Sequence, residues 1–333
     1  MLTVSDFIPL SYDPGLSEAG SAYACRWLAG VSGPAGEVTA QRLRRCAGGA
    51  AVELAFRRYL DAQELPFETR QRTPFSRPEH YVVTLGGHRC ELIGCLLSRP
   101  NQVRELEREP ASLLQAGAQV PLDRFTAEGQ SPDDLYVFAF LVGSVAATQA
   151  DIRAALAGGQ PVRLVHVLPE AWRRPAAWQP LEPLALKSEC TETIPLELGG
   201  LDAQRDFIAE SLELAAHRRV LVKQEYYSLA YLQTRRLPEA RLGVHSPPRG
   251  PACIIRPHEW ADIWIEGRQV LLAGWLTQAE FRSKASLLKA GSAAFQFSRT
   301  QPRNLQVPLR ELKPLGSLLE KVRAWEINNK GAI

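Results

Sequence analysis

The sequence predicts an α/β fold for the first half of the chain and a β-rich α+β fold for the second half. Three observations support this. A helical pattern over residues 35–64 precedes two strand-like runs that are joined by Gly86-Gly87. The continuously apolar run Leu135–Val142 is typical of a central strand that is buried on both faces. Closely spaced turns then separate short strand-like runs. We therefore expect a central mixed sheet flanked by helices in the first half.

The first half has the alternation of helices and strands that such a domain needs. A two-residue glycine link joins the strand-like runs Tyr81–Leu85 and His88–Leu97, and this link is a strong hairpin signal. Prolines at positions 66 and 110 end the long helix and the helix after the hairpin. The other predicted elements are a helix at 101–109, a strand at 135–142, a helix at 149–158 and a strand at 162–167.

A domain boundary is predicted at residues 169–183, which contain four prolines and two tryptophans. The predicted domains are therefore residues 1–183 and residues 184–333. In the second, the predicted strands are Thr193–Leu198, Val220–Gln224, Tyr226–Thr234, Arg241–His245, Cys253–Arg256, Val270–Trp275 and 305–309, with helices at 278–290 and 315–326.

The composition of the chain excludes few classes of function. The net charge of +3 neither requires a nucleic-acid partner nor excludes one, because a local basic patch can lie on a balanced surface. No apolar run approaches the roughly 20 residues that span a bilayer, so we expect no membrane partner. The first residues lack the basic start and apolar core of a secretory signal. The six cysteines are scattered, which favours reduced thiols and a cytoplasmic protein.

Glu53 has an unusual position on the long helix. On a helical projection, Cys46 and Leu60 lie about 20° to either side of it, so that it falls within the apolar stripe. A carboxylate in an apolar stripe is costly unless it is paired or functional. Two interpretations remain open: a functional acid, or an ion pair with Arg57 four residues later.

The glycine turn also sets the register of the hairpin. With Gly86-Gly87 as the two-residue link, Val82 lies opposite Glu91, and Ile93 lies on the same face as Glu91. A metal-dependent nuclease needs two acids opposite each other to hold Mg²⁺. It also needs a lysine two residues beyond the second acid, next to the attacking water or the phosphate.

The order of helix with Glu53, hairpin, helix and apolar strand over residues 35–145 resembles the PD-(D/E)XK nuclease superfamily. The resemblance implies a restriction-endonuclease-like fold. It places the second acid at Glu91 and the further helical acid at Glu53. The first acid and the lysine would then fall on Val82 and Ile93, which are both apolar.

The chain is therefore predicted to be a catalytically inactive nuclease-like protein that binds nucleic acid or serves as a subunit of a DNA-processing or defence assembly. We expect no cofactor in that case. One alternative is an active Mg²⁺-dependent endonuclease in which Glu91 binds the metal and Glu53 or Glu79 serves as a nonstandard acid. Another alternative is a pure protein-interaction scaffold. Arg89 beside Glu91 could also neutralise that acid for structural reasons alone.

A basic cluster follows the long helix and continues into the hairpin. Arginine contacts to phosphates would suit DNA or RNA lying against this face, whereas a solvated surface is the alternative. The predicted nucleic-acid-binding residues are Arg57, Arg58, Arg70, Arg72 and Arg89. A protein partner is also expected.

Polar and aromatic residues of the second half are given structural roles. His245, His258, Glu259 and Asp262 match no metal-ligand spacing, so we expect them to be structural. Trp260, Trp264 and Trp275 are predicted to fill a core.

Overall fold

The computed structural model describes residues 1–30, 39–69, 83–126, 129–296 and 303–330, the side chains of 326–330 excepted. The α-helices within these ranges are α1 (Pro14–Gly30), α2 (Ala40–Ala62), α3 (Pro100–Arg108), α4 (Leu122–Phe125), α5 (Gln149–Ala157), α6 (Glu170–Arg173), α7 (Gln278–Lys284) and α8 (Leu315–Lys330). The strands are β1 (Ile8–Ser11), β2 (Glu68–Thr69), β3 (Val83–Leu85), β4 (His88–Leu97), β5 (Gly117–Pro121), β6 (Leu135–Ser144), β7 (Leu164–Val167), β8 (Ala185–Ser188), β9 (Ile194–Leu201), β10 (Phe207–Leu214), β11 (Arg219–Leu221), β12 (Ser228–Thr234), β13 (Leu242–His245), β14 (Cys253–Ile255), β15 (Ala261–Asp262), β16 (Glu266–Thr277), β17 (Ser286–Leu288) and β18 (Asn304–Pro308).

The fold is mixed α/β, and the described strands form four sheets. The six-stranded sheet has the order β1-β16-β6-β4-β3-β2, and the five-stranded sheet has the order β10-β9-β12-β7-β15. The four-stranded sheet is β11-β8-β13-β14, and the three-stranded sheet is β17-β18-β5. In the six-stranded sheet β4 and β6 are parallel, whereas β16 is antiparallel to β6 and β3 is antiparallel to β4. This sheet is therefore mixed, as the sequence predicts.

Strand β6 is buried on both faces, because nine of its ten residues are buried. One face of the six-stranded sheet packs against α1, α2 and α8. The other face packs against β5, β18 and α7, which contribute Val120, Val307 and Phe281 to the second apolar cluster. An apolar strand with no polar side needs a covering layer on both faces, and the two layers supply it.

A separate core lies between the five-stranded and four-stranded sheets. It contains Trp172 and Trp260 together with apolar residues of β9, β12 and β13. Helix α1 contacts β9 and β12 as well as α2, so this helix lies between the two parts of the molecule. An ion pair of 2.6 Å between Glu18 of α1 and the buried Arg163 reinforces that contact.

The sheets do not separate at residue 183. Strand β6 pairs with β16, β5 pairs with β18, and β7 pairs with β12, so three of the four sheets combine strands from both sides of that residue. The division into residues 1–183 and 184–333 as folding units stays a prediction. The proline-rich stretch between them contains the single-turn helix α6.

Several predicted elements are confirmed. The long helix corresponds to α2, the hairpin to β3 and β4, and the apolar run to β6. Helix α7 is shorter than the predicted 278–290, because strand β17 begins at Ser286. Trp260, Trp264 and Trp275 are buried, as predicted. All six cysteines are free. None of the helices in the described ranges has the length and apolar character needed to cross a membrane.

Helix α1 is the largest element that the sequence analysis missed. Its start carries a local signal, since Pro14 is its first residue and the Asp13 carboxylate accepts a hydrogen bond from the Leu16 N–H. Many of its inward-facing residues are glycine, alanine and serine, which give little apolar periodicity. These small residues allow α1 to pack closely against α2.

The hairpin turn yields a test of the fold. Gly86 and Gly87 have φ angles of +54° and +84°, as a type I′ turn requires. A Cβ atom at Gly86 would lie 2.6 Å from Cε3 of Trp325 on α8, whereas a Cβ at Gly87 would contact nothing within 4 Å. The turn is therefore packed against α8 at its first residue only.

We predict that Gly87→Ala lowers the free energy of unfolding by about 1–2 kcal/mol, the cost of the left-handed backbone. Gly86→Ala adds overpacking against Trp325, which costs about 1–3 kcal/mol more. Urea denaturation of both variants measures the difference. Equal losses in the two variants would contradict the contact between the turn and α8.

Candidate functional site

Glu91 and Ile93 lie on the same face of β4, as the sequence predicts. The pairs Val83–Cys90, Thr84–Arg89 and Leu85–His88 confirm the hairpin register within the described residues. The predicted position opposite Glu91, Val82, lies outside the described residues. The same holds for Arg70, Arg72 and Glu79.

The Glu91 carboxylate is buried beneath the layer formed by α4 and β5, and 6% of the residue is exposed. Nη1 of Arg124 on α4 donates a hydrogen bond of 3.0 Å to Oε1 of Glu91. Burial raises the pKa of Glu91 to about 7, although the charge and hydrogen bond of Arg124 offset part of that rise. Repulsion from Asp134 raises it further. The carboxyl is therefore partly protonated at neutral pH.

The structure does not bring Glu53 and Glu91 together, although the resemblance assigns both acids to one site. A Cβ atom at Gly94 would lie 3.3 Å from Cγ1 of Val52, so the even-numbered side of β4 faces α2. Glu91 is on the odd-numbered side, with Ile93. Glu53 follows Val52 on α2, so it approaches β4 from the side opposite to Glu91. Glu53 instead forms the i,i+4 ion pair with Arg57 that the sequence left as the alternative.

The residues around Glu91 do not fit a Mg²⁺ site. Magnesium requires ionised oxygen ligands and usually keeps several waters, whereas Glu91 is buried, partly protonated and bound to a guanidinium. Among the described residues, Asp134 is the carboxylate that acts on the pKa of Glu91, and its Oδ2 accepts the Ser131 N–H at 2.7 Å. Among the residues that the structure describes, no group of three or more His, Cys, Asp or Glu side chains could hold a metal ion.

The predicted arginine cluster is partly engaged in other contacts. Arg57 pairs with Glu53, and Nη1 of Arg58 lies 2.7 Å from Oδ2 of Asp13. Arg89 donates a hydrogen bond to the carbonyl oxygen of Gly129. Arg58 and Arg89 remain exposed at the surface. They can therefore still contact a phosphate.

Arg124 is the site residue that sequence reasoning missed. It lies 33 residues from Glu91 along the chain. The only local signal is its place in the short turn of helix after β5. A cavity of about 220 Å³ lies beside the pair, and both Arg124 and Ile93 line it. The predicted lysine position thus opens onto a cavity.

Asp262 has the structural role that the sequence predicts for it. Its Oδ1 accepts hydrogen bonds from the backbone N–H groups of Arg163 at 2.8 Å and Trp264 at 3.0 Å. Burial raises its pKa to about 6, and these hydrogen bonds offset part of the rise. The carboxylate therefore joins the start of β7 to the segment after β15.

The burial of Glu91 predicts a pH dependence of stability. Glu91 keeps its proton up to about pH 7 in the folded chain, whereas the ordinary pKa of a glutamate side chain is 4.5. Between these two pH values the folded chain therefore binds more protons than the unfolded chain. The stabilisation is complete below the ordinary pKa and is lost as pH rises through the folded pKa. Its size is on the order of 3 kcal/mol.

Glu91→Gln should remove this pH-dependent contribution to stability. As the pH rises from 4.5 to about 7, the free energy of unfolding of the variant should therefore fall less than that of the wild type. Urea denaturation across the pH range measures the effect. Glu320→Gln, at an exposed position on α8, is the control. A Glu91→Gln variant that keeps the wild-type slope would contradict the burial of a titrating carboxyl.

Comparison of the chain with protein-family models, with curated proteins and with solved structures finds no match. The resemblance to the PD-(D/E)XK superfamily therefore stays a prediction, which depends on the order and geometry of the chain's own elements.

Proposed function

We propose that this chain is a cytoplasmic, catalytically inactive nuclease-like protein that associates with nucleic acid, as part of a DNA-processing or defence assembly. The observation that carries the proposal is the pairing of Glu91 with Arg124. In an active nuclease of the type that the sequence resembles, this carboxylate would face a metal ion. Here a guanidinium takes that place.

The topology supports a restriction-endonuclease-like fold. Helix α2 precedes the hairpin of β3 and β4, helix α3 follows, and the buried strand β6 lies next to β4 and parallel to it. This is the order of elements on which the resemblance depends, and the parallel pair of β4 and β6 belongs to the mixed central sheet that the resemblance implies. The six free cysteines support a reducing compartment.

The side chains on the acid-bearing face support a loss of cleavage. Ile93 stands where a lysine would be needed, and an alkyl side chain can neither donate to a phosphate nor orient a water. Glu53, the nonstandard acid of the active alternative, lies on the other face of the sheet. An active enzyme would need an acid from outside the described residues.

Nucleic-acid association is supported by the exposed Arg89 of β4 and Arg58 of α2, which lie on opposite sides of the six-stranded sheet and offer two separate phosphate contacts. Each guanidinium has five N–H donors in a planar fork, which suits phosphate oxygens. The ion pair of Arg58 with Asp13 occupies part of one fork. Surface pairs of this kind contribute little to stability, so a phosphate can compete for the arginine.

The first prediction is that the purified protein cleaves neither DNA nor RNA in Mg²⁺ or Mn²⁺, since Glu91 is neutralised and Ile93 replaces the lysine. Gel assays of labelled duplex and single strands measure cleavage. Neither metal should raise the melting temperature. Metal-dependent cleavage that Glu91→Ala abolishes would show instead that the active alternative is right.

The second prediction concerns binding. Arg58→Ala and Arg89→Ala should each weaken binding to duplex DNA or to RNA and reduce the salt dependence of log K by about one. Arg219→Ala, on the exposed edge strand β11 of the four-stranded sheet, is the matched control. Fluorescence anisotropy over a salt series gives both quantities. No binding to any nucleic acid at low salt would favour the interaction scaffold.

A further inference from the structure

The cavity beside Arg124 has the lining of a small-molecule site. Its volume of about 220 Å³ is below the roughly 300–1,000 Å³ of common ligand pockets, so it suits one ring system, with the rest of a ligand at its mouth. Its floor consists of Ile93 and Cys95 of β4 with Phe138 and Phe140 of β6, which are paired in register. An apolar floor that contains aromatic rings suits a flat ring system.

Buried amides form the opposite wall. Gln119 of β5, Asn304 of β18 and Gln296 line the cavity and are each less than a tenth exposed. Nε2 of Gln119 donates to Oε1 of Gln296 at 3.2 Å, and Nδ2 of Asn304 donates to Oε1 of Gln119 at 3.4 Å. Nε2 of Gln119 also donates to Oε1 of Gln306 at 3.0 Å, so both of its donors are used, and Nε2 of Gln296 donates to the carbonyl oxygen of Gly117. An amide has two donors and an oxygen with two lone pairs, so the hydrogen-bonding capacity that remains lies chiefly on Asn304 and Gln296. The wall can therefore bond to a ligand with a mixed donor and acceptor edge.

The charged groups of the lining are cationic. Arg45 of α2 and Arg124 of α4 line the cavity, and the first is exposed whereas the second is half-buried. No Asp or Glu is present among the described residues that line it, and Glu91 lies behind Arg124. Guanidinium groups at the solvent side of an apolar cavity favour a ligand with an anionic group at its outer end.

We propose that this cavity binds a nucleotide with a terminal phosphate, either as a free nucleoside monophosphate or as the end of a nucleic-acid strand. The base lies against the aromatic floor, and its edge bonds to the amides, which are the side chains that pair with base edges elsewhere. The phosphate lies between Arg45 and Arg124. This site goes beyond the proposed function, because it requires neither a duplex nor a lost metal centre.

Isothermal titration calorimetry of the full chain tests the proposal with the four common nucleoside 5′-monophosphates, the matched nucleosides and inorganic phosphate. At least one monophosphate should bind. Its nucleoside and phosphate alone should bind at least about tenfold more weakly, since each keeps only part of the contacts. Equal binding of nucleoside and monophosphate would overturn the role of the arginines. The absence of binding by every monophosphate and by a 5′-phosphorylated strand would overturn the site.

Two variants locate the binding. Cys95→Phe fills the cavity from the half-buried edge of β4 and should abolish binding, whereas Cys253→Phe, at a half-buried position in the four-stranded sheet, should not. Arg45→Ala, at an exposed position on α2, should weaken binding by about tenfold and tests the site even if Cys95→Phe does not fold. Unchanged affinity in Arg45→Ala, or in a folded Cys95→Phe, would refute the assignment.

A third comparison identifies the source of the nucleotide. A short single strand with a 5′ phosphate competes with the bound monophosphate if strand ends are the ligand, and the same strand without the phosphate does not. A strand that fails to compete, while the monophosphate binds, assigns the site to free nucleotides. Failure of the proposed function is recognised separately, because cleavage and the effects of Arg58→Ala and Arg89→Ala do not depend on Cys95 or Arg45.

Discussion

The burial of strand β6 on both faces is the constraint on which the rest of the structure depends. Nine of its ten residues are buried, so neither face of the six-stranded sheet can be left to solvent. Helices α1 and α2 cover one face, and the absence of a side chain at Gly94 lets Val52 approach β4 closely. The other face is covered by β5 and β18, which are far apart in the chain. Strands from the second half of the chain must therefore pair with strands from the first half, as they do in three of the four sheets.

The same covering layer determines the state of Glu91. A metal-dependent nuclease needs its acid-bearing face open, since Mg²⁺ keeps waters and must meet a phosphate. Here α4 follows directly from β5 and places Arg124 over Glu91. A buried carboxylate without a partner would destabilise the fold strongly, and the guanidinium offsets that penalty. One packing arrangement thus both buries Glu91 and supplies the guanidinium that pairs with it.

Local signals account for what could be predicted from the sequence. The Gly86-Gly87 turn fixes its own register through positive φ angles, and the apolar run of β6 shows its burial by composition alone. The pairing of β6 with β16 joins segments more than a hundred residues apart, and no local pattern specifies it. Arg124 and Glu91 are likewise 33 residues apart along the chain, so no local pattern predicts their contact. Helical periodicity gives the face of a helix but not the side of the sheet on which the helix packs. The sequence therefore could not show that Glu53 and Glu91 lie on opposite sides of β4.

The amide cluster in the covering layer is not what packing alone would favour. Buried amides cost free energy unless they are fully bonded, and apolar side chains would cover Phe138 and Phe140 more simply. Nε2 of Gln119 also donates to Oε1 of Gln306 at 3.0 Å, and Gln306 lies so close to Gly117 that a Cβ there would be 2.3 Å from its Cδ. The Gln306 side chain thus requires a glycine at position 117, and the cavity that Gly117 lines stays unfilled. Apolar side chains cover much of β6, whereas this place keeps polar groups and an open volume, which is the arrangement that binding a polar ligand requires.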